Sequence, residues 1–176
     1  MNKLYGVLEI SAVSYGYAMV TYTGQNYGAG RYDRIKSGVK KVVLLSLATS
    51  ILISIILWIF GPFFLSCFIS KTSEGAIDAM TYGLNFLRCL TVFLPILYML
   101  HAYRSTIQGL SNAFIPMVSG LFELLMRISG ALILPSYFGK AGLYPVEVLA
   151  WIGAVIILIP SYYYMERNFQ NVSENS

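Results

Sequence analysis

Charged side chains are scarce in this sequence. Asp, Glu, Lys and Arg make up only 11% of its 176 residues, whereas soluble domains carry about 25%. Hydrophobic residues account for 57%, which is above the usual range of about 45–50%. The composition therefore excludes an ordinary soluble domain and predicts that much of the surface faces lipid.

Residues that bind metals are also few. The chain has two cysteines, Cys67 and Cys89, and one histidine, His101, and no two of them have the spacing of a metal site. We predict no metal, no cofactor and no enzyme activity. The formal net charge is +4, but the Lys and Arg residues border apolar runs and form no continuous stripe, which argues against nucleic acid as a partner.

Long apolar runs divide the chain into membrane spans. The clearest run, from Val42 to Ser70, contains no charge, and about 20 apolar residues suffice to cross a bilayer. We predict an all-α, multi-pass helix bundle with five spans, at about 4–23, 42–65, 80–103, 112–134 and 144–165. The first span is rich in small and hydroxylated residues, which suit tight packing between helices. Residues 167–176 form a polar tail, which we expect to be disordered and cytoplasmic.

The Lys and Arg residues predict the orientation of these spans. Five spans place the 24–41 joint, the 104–111 joint and the tail on one side of the membrane. That side carries seven of the basic residues and the other side three, so the seven-charge side is predicted to be cytoplasmic. The seven are Arg31, Arg34, Lys36, Lys40, Lys41, Arg104 and Arg167, and the three are Lys3, Lys71 and Lys140.

A glycine-rich stretch with a basic tail, GQNYGAGRYDRIKSGVKK, occupies residues 24–41. It lacks the order GxxxxGK[ST] of a P-loop and the spacing GxGxxG of a dinucleotide site. We interpret it as a sharp turn in which Gly24, Gly28 and Gly30 adopt positive φ. The basic residues then lie at the anionic inner leaflet.

Two stretches resemble a known family. TGQNYGAGRYDRIKSGVK (23–40) resembles a loop of the multidrug and toxic compound extrusion (MATE) transporters, and RSTIQGLSNAFIPMVSGLFELLMRI (104–128) resembles a later helix junction of that family. The residues of the first motif that carry the resemblance are Gly24, Gln25, Asn26, Gly28, Ala29 and Arg34.

The resemblance implies a fold and a function. MATE transporters have two six-helix lobes related by an axis along the membrane normal, and the five spans resemble helices eight to twelve. Residues 1–166 would then be part of a C-terminal lobe, and the chain a fragment whose N-terminal lobe is missing. The implied function is secondary active export of cationic amphipathic molecules from a bacterial cytoplasmic membrane, coupled to Na⁺ or H⁺ entry.

Four ionisable residues fall inside predicted spans: Glu9, Arg88, Glu123 and Arg127. Intramembrane charges are costly unless they are paired, and these four lie at similar predicted depths. One interpretation is an ion-pair cluster that joins helices. The other is that Glu123 or Glu9 exchanges a proton or Na⁺ during transport. The third span offers Asn85 beside Arg88 but no acid, so the acidic site that the resemblance would place there is not present.

Tyrosines in the spans, Tyr15 and Tyr17 among them, could form aromatic walls for cationic drugs through cation–π contacts. They could equally pack between helices, with hydroxyls bonded across the interface. Two other functions stay open: a lipid-linked oligosaccharide flippase of related fold, which would need a basic cavity, and a non-transporting subunit of a membrane complex.

Overall fold

The described residues of the chain fold into five α-helices. The computed structural model describes residues 2–67 and 76–174, and these residues contain no β-strand, which confirms the predicted all-α fold. A short 3₁₀-helix, Gly139–Leu143, precedes the last helix. The α-helices are α1 (Asn2–Gly28), α2 (Tyr32–Ser66), α3 (Ala76–Gly109), α4 (Phe114–Phe138) and α5 (Val146–Glu174).

Helix α3 is the centre of the bundle. It packs against α1, α2 and α5, while α4 packs mainly against α5 and the 3₁₀-helix folds back onto α4. Leucines of α3 and the aromatic rings beside them form the middle of the core, and Tyr98 and Trp151 are almost fully buried. The buried α3 leucines are Leu87, Leu90, Leu94, Leu97 and Leu100.

Four of the helical stretches are long and apolar enough to cross a membrane: Tyr32–Ser66, Ile77–Gly109, Phe114–Leu143 and Val146–Phe169. Large side chains of α2 and α4 point away from the core, which suits contact with lipid. Examples are Ile55, Ile59 and Phe63 on α2 and Leu121 and Leu132 on α4. At about 40 Å, α1 is also long enough to span a bilayer, but it is less apolar than α2 or α4, so the first predicted span stays a prediction.

Small residues bring α1 and α3 into close contact, as the composition of α1 predicts. A Cβ atom at Gly109 would lie 2.8 Å from the carbonyl oxygen of Val20 and 2.7 Å from Cβ of Thr23. A Cβ at Gly16 would lie 2.7 Å from Oγ of Ser105. Small side chains at such positions allow two backbones to approach closely.

The glycine-rich turn is tighter than predicted, and only one of its glycines has positive φ. Gly30 has φ 67°, while Gly24 and Gly28 lie within α1. The amide of Arg31 donates to the carbonyl of Asn26 and the amide of Gly30 to that of Tyr27, at 2.8 and 3.0 Å. These are the two bonds of a Schellman motif with glycine at its left-handed position, so one such residue is enough to end the helix.

Helix α3 ends in a similar way, later than predicted. Ser111 has φ 61°, and the amides of Ser111 and Asn112 donate to the carbonyls of Gln108 and Ile107 at 3.0 and 3.3 Å. The helix therefore continues through most of the predicted 104–111 joint. As a consequence, Arg104 lies in α3 and not in a loop.

The tail differs from the prediction, and most of the 66–79 joint lies outside the residues that the structure describes. The tail is not disordered over its described part, because α5 continues to Glu174 and Phe169 stacks on Tyr32 with ring centroids 4.9 Å apart. Aromatic contact stabilises a helix end that composition alone marks as polar. Most of the 66–79 joint, with Lys71, lies outside the described residues.

Candidate functional site

A network of ion pairs joins α3, α4 and α5. The Nη2 atom of Arg104 lies 2.7 Å from Oε2 of Glu123 and also donates to Oγ of Ser119 at 3.2 Å. The Nη2 atom of Arg127 lies 3.1 Å from Oε1 of Glu123. Each oxygen of the Glu123 carboxylate thus has its own guanidinium partner.

The network extends from Arg127 to the first turn of α5. The Nη2 atom of Arg127 lies 2.8 Å from Oε2 of Glu147, although the geometry is that of an ion pair and not of a well-aligned hydrogen bond. Two guanidinium groups therefore face two carboxylates, and their formal charges cancel. Such mutual compensation is what an apolar environment requires of buried ions.

A second, looser pair lies beside this network. The Nε2 atom of His101 on α3 is 3.6 Å from Oε1 of Glu9 on α1, which is too long for a hydrogen bond. This Nε2 atom is buried and donates to no acceptor among the described residues. Glu9 also lines an open cavity of about 280 Å³ with Gly6, Ile10, Val13, Ser14 and Tyr17. Glu9 is thus less fully compensated than Glu123.

The structure brings together only three of the four charges that the sequence singled out. Glu123 and Arg127 pair directly, and Glu9 lies next to their network. Arg88 does not join them. Its guanidinium carbon lies 5.6 Å from the ring centroid of Trp58, and both Arg88 and Asn85 are exposed on α3. Arg88 was predicted at a similar depth, but it lies on the side of α3 that faces α2 and therefore does not reach the cluster.

The two tyrosines have different surroundings. The hydroxyl of Tyr15 is 2.8 Å from Oγ1 of Thr49 on α2, and its ring lies 6.2 Å from that of Tyr98, so Tyr15 packs between helices. Tyr17 is 73% exposed and lines the cavity beside Glu9. Of the two, only Tyr17 is available to a bound cation in the described structure.

The residues of the glycine-rich motif stabilise the turn between α1 and α2. Asn26 is buried, and its side-chain amide donates to the carbonyl of Tyr22 at 2.8 Å. The carbonyl of Gln25 accepts from the amide of Ala29 at 3.2 Å. The carbonyl of Arg34 accepts a 2.9 Å bond from the hydroxyl of Tyr22, which joins α1 to α2. The motif thus holds the two helices together at their connection.

The sequence interpretation predicted Glu123 and Arg127 but missed three other members of the network: Arg104, Ser119 and Glu147. Ser119, Glu123 and Arg127 repeat at intervals of four on α4, and this spacing places them on one face. His101 and Arg104 are likewise three apart on α3. Arg104 was assigned to a loop because it borders an apolar run. Glu147 was missed because an acid in the first turn of a helix is typical of a residue that stabilises the helix N-terminus.

These observations define a multi-pass α-helical membrane protein with a compensated charge network between its helices. The MatE family model matches residues 2–133, which is 132 of the 176 residues. The chain belongs to the MatE family, whose members are efflux transporters and not enzymes. The match includes α1 to α3 and most of α4, with Glu9, Arg104, Glu123 and Arg127. Searches of curated proteins and of solved structures each found no match.

Proposed function

We propose that this chain forms part of one lobe of a secondary active efflux antiporter of a bacterial cytoplasmic membrane. It exports cationic amphipathic molecules while Na⁺ or H⁺ enters. The observation that carries the proposal is the family match over residues 2–133, which includes most of the charge network. A second lobe completes the pathway, because alternating access requires one repeat to move against another.

Glu9 is the residue that we propose to exchange the coupling ion. Glu123 has two arginine partners within 3.1 Å, so its negative charge is already compensated within the protein. Glu9 has no Lys or Arg within 4.0 Å among the described residues, only His101 at 3.6 Å. It also faces an open cavity, through which an ion can reach it.

The same cavity is the proposed contact for the exported cation. Glu9 supplies a negative charge and Tyr17 an exposed ring, and a cation over a tyrosine ring gains about 0.5–2 kcal/mol. Competition between the coupling ion and the substrate for one carboxylate is a direct way to exchange one for the other.

The flippase alternative is the weaker proposal, because the two arginines behind it, Arg88 and Arg127, do not lie together. A lipid-linked oligosaccharide carries phosphate, and its cavity would need cations that are not already paired. Arg127 is paired with Glu123 and Glu147, and Arg88 lies against Trp58.

Efflux measurements test the proposal. Proteoliposomes are loaded with a fluorescent cationic dye, and a pH gradient or a Na⁺ gradient is imposed. We expect gradient-driven efflux when the chain is reconstituted with a polypeptide carrying the other lobe, and none from the chain alone. Efflux by the chain alone would show that no second lobe is needed. Efflux that ignores both gradients would exclude an antiporter.

Two variants in the same assay test Glu9. Glu9→Gln should abolish gradient-driven efflux and retain dye binding within about fivefold, since a glutamine keeps the shape but loses about 1 kcal/mol of charge attraction. Ser14→Ala is the matched control, because Ser14 lines the same cavity and, in the part of the chain that the structure describes, its hydroxyl bonds only the carbonyl of Ile10. Normal coupled efflux by Glu9→Gln would exclude Glu9 as the exchanging residue.

A further inference from the structure

A groove lies between α2 and α5, two helices with little direct contact. Its volume is about 290 Å³. Tyr103 of α3 and Tyr162 of α5 form its floor; both are buried, and their ring centroids are 5.4 Å apart. The walls consist of Lys36, Val39, Lys40, Val43, Leu44 and Leu47 from α2, and Tyr163 and Glu166 from α5.

The groove changes in polarity along its length. Counted from Lys36, the α2 residues that line it follow the pattern i, i+3, i+4, i+7, i+8 and i+11, so they share one face of the helix. Lys36 and Lys40 lie at one end, and Val43, Leu44 and Leu47 follow toward the membrane. Lys40 comes just before the uncharged run that begins at Val42. This places its ammonium group at the depth of lipid headgroups, with the aliphatic part of the groove beside the acyl chains.

Lys40 gives the polar end of the groove an uncompensated positive charge. The Nζ atom of Lys36 is 3.0 Å from Oε1 of Glu166, so the charges of these two residues cancel. Lys40 is exposed and has no carboxylate within 4.0 Å among the described residues. An anion would therefore meet one free ammonium group there, and the one acid of the groove is already paired.

We propose that this groove binds one anionic phospholipid of the cytoplasmic leaflet. The phosphate of the headgroup contacts Lys40, and part of one acyl chain lies along Val43, Leu44 and Leu47. The volume lies just below the range for ligand pockets, about 300–1,000 Å³, which suits a length of acyl chain better than a drug-sized molecule. Leu44 is 71% exposed, so the groove is open to the bilayer from the side.

Lipid selectivity tests the proposal without any transport measurement. The full chain is placed in phosphatidylcholine nanodiscs with a small fraction of spin-labelled phosphatidylglycerol, and the immobilised fraction of the label is measured. We expect a preference for phosphatidylglycerol over spin-labelled phosphatidylcholine. Lys40→Gln should lower that preference about fivefold, the effect of one Lys near an anionic headgroup.

Lys41→Gln is the matched control. Lys41 is exposed and carries the same charge next to Lys40, but it does not line the groove, so its loss should leave most of the preference in place. Equal losses in Lys40→Gln and Lys41→Gln would show a diffuse surface effect and overturn the site. The absence of any preference in the unmodified chain would also overturn it.

A second pair of variants tests the acyl-chain part without changing any charge. Leu44→Trp fills the groove and should lower the immobilised fraction of phosphatidylglycerol. Leu45→Trp is the control, because Leu45 is also exposed on α2 but lies outside the groove. An unchanged fraction in Leu44→Trp, with a helical content equal to that of the unmodified chain, would contradict the proposal.

Discussion

At the scale of single residues, Glu123 pairs with two arginines that differ in their other partners. Arg127 also has Glu147 at 2.8 Å. Among the described residues, the partners of the Arg104 guanidinium are Glu123 and the neutral hydroxyl of Ser119. Loss of the Glu123 charge therefore leaves Arg104 without a carboxylate partner, while Arg127 keeps one.

This difference predicts which second substitution restores the stability that Glu123→Gln loses. Glu123→Gln should destabilise the protein by about 3–5 kcal/mol, because it leaves a partly buried guanidinium uncompensated within a predicted span. Arg104→Gln should restore more of that stability than Arg127→Gln does. Thermal unfolding in detergent of the three single variants and the two doubles measures the effect. Stronger rescue by Arg127→Gln would mean that Arg127, and not Arg104, depends on Glu123.

At the scale of helices, the contact between α1 and α3 depends on the lack of side chains at a few positions. The hypothetical Cβ of Gly109 comes within 2.8 Å of backbone on α1, and backbone cannot move aside as the end of a flexible side chain can. Close approach of this kind lets helices associate in a membrane, where lipid is as apolar as the helix surface.

Gly109→Ala should therefore separate α1 from α3 and lower the stability by about 1–3 kcal/mol, the usual cost of overpacking. Gly120→Ala is the matched control, since a Cβ at Gly120 meets no atom within 4 Å. An alanine there should be neutral or slightly stabilising, because it restricts the unfolded chain. Both are measured by thermal unfolding in detergent. Equal stability of the two variants would show that the crossing tolerates a methyl group.

At the scale of the whole molecule, the basic residues near the start of α2 are the basis for predicting the orientation of the bundle. Arg34, Lys40 and Lys41 are exposed on α2, and Arg31 is exposed in the turn just before it. Their position at the end of an uncharged span still favours the cytoplasmic side. The Lys36–Glu166 pair places the distal part of α5 beside this basic end.

We predict that Ser37 faces the cytoplasm and Asp78 the outside. In a background with Cys67→Ser and Cys89→Ser, an impermeant thiol reagent should label Asp78→Cys in intact cells. It should label Ser37→Cys only after permeabilisation, which also serves as the control for reactivity. Both positions are exposed in the structure. Labelling of Ser37→Cys but not Asp78→Cys in intact cells would reverse the orientation.

The sequence by itself was enough to predict the class of protein, the all-α fold and the MATE resemblance. Hydropathy and helical periodicity are properties of short stretches of sequence, so they can be recognised without knowing which helices pack together. The Glu123–Arg127 pair belongs to the same category, because four residues along one helix already bring two side chains together. The small residues of α1 likewise indicated a closely packed helix before its partner was known.

Tertiary structure decided which helix each charge meets. Arg88 and Arg104 both lie on α3, yet one contacts Trp58 and the other Glu123. Depth along a helix can be counted from a sequence, but rotation about the axis toward a particular neighbour depends on how several helices pack together. The same holds for Glu147 and for the groove between α2 and α5. The α2, α3 and α5 residues of that groove are more than 50 positions apart in the sequence, and the packing of α2 and α5 against α3 brings them together.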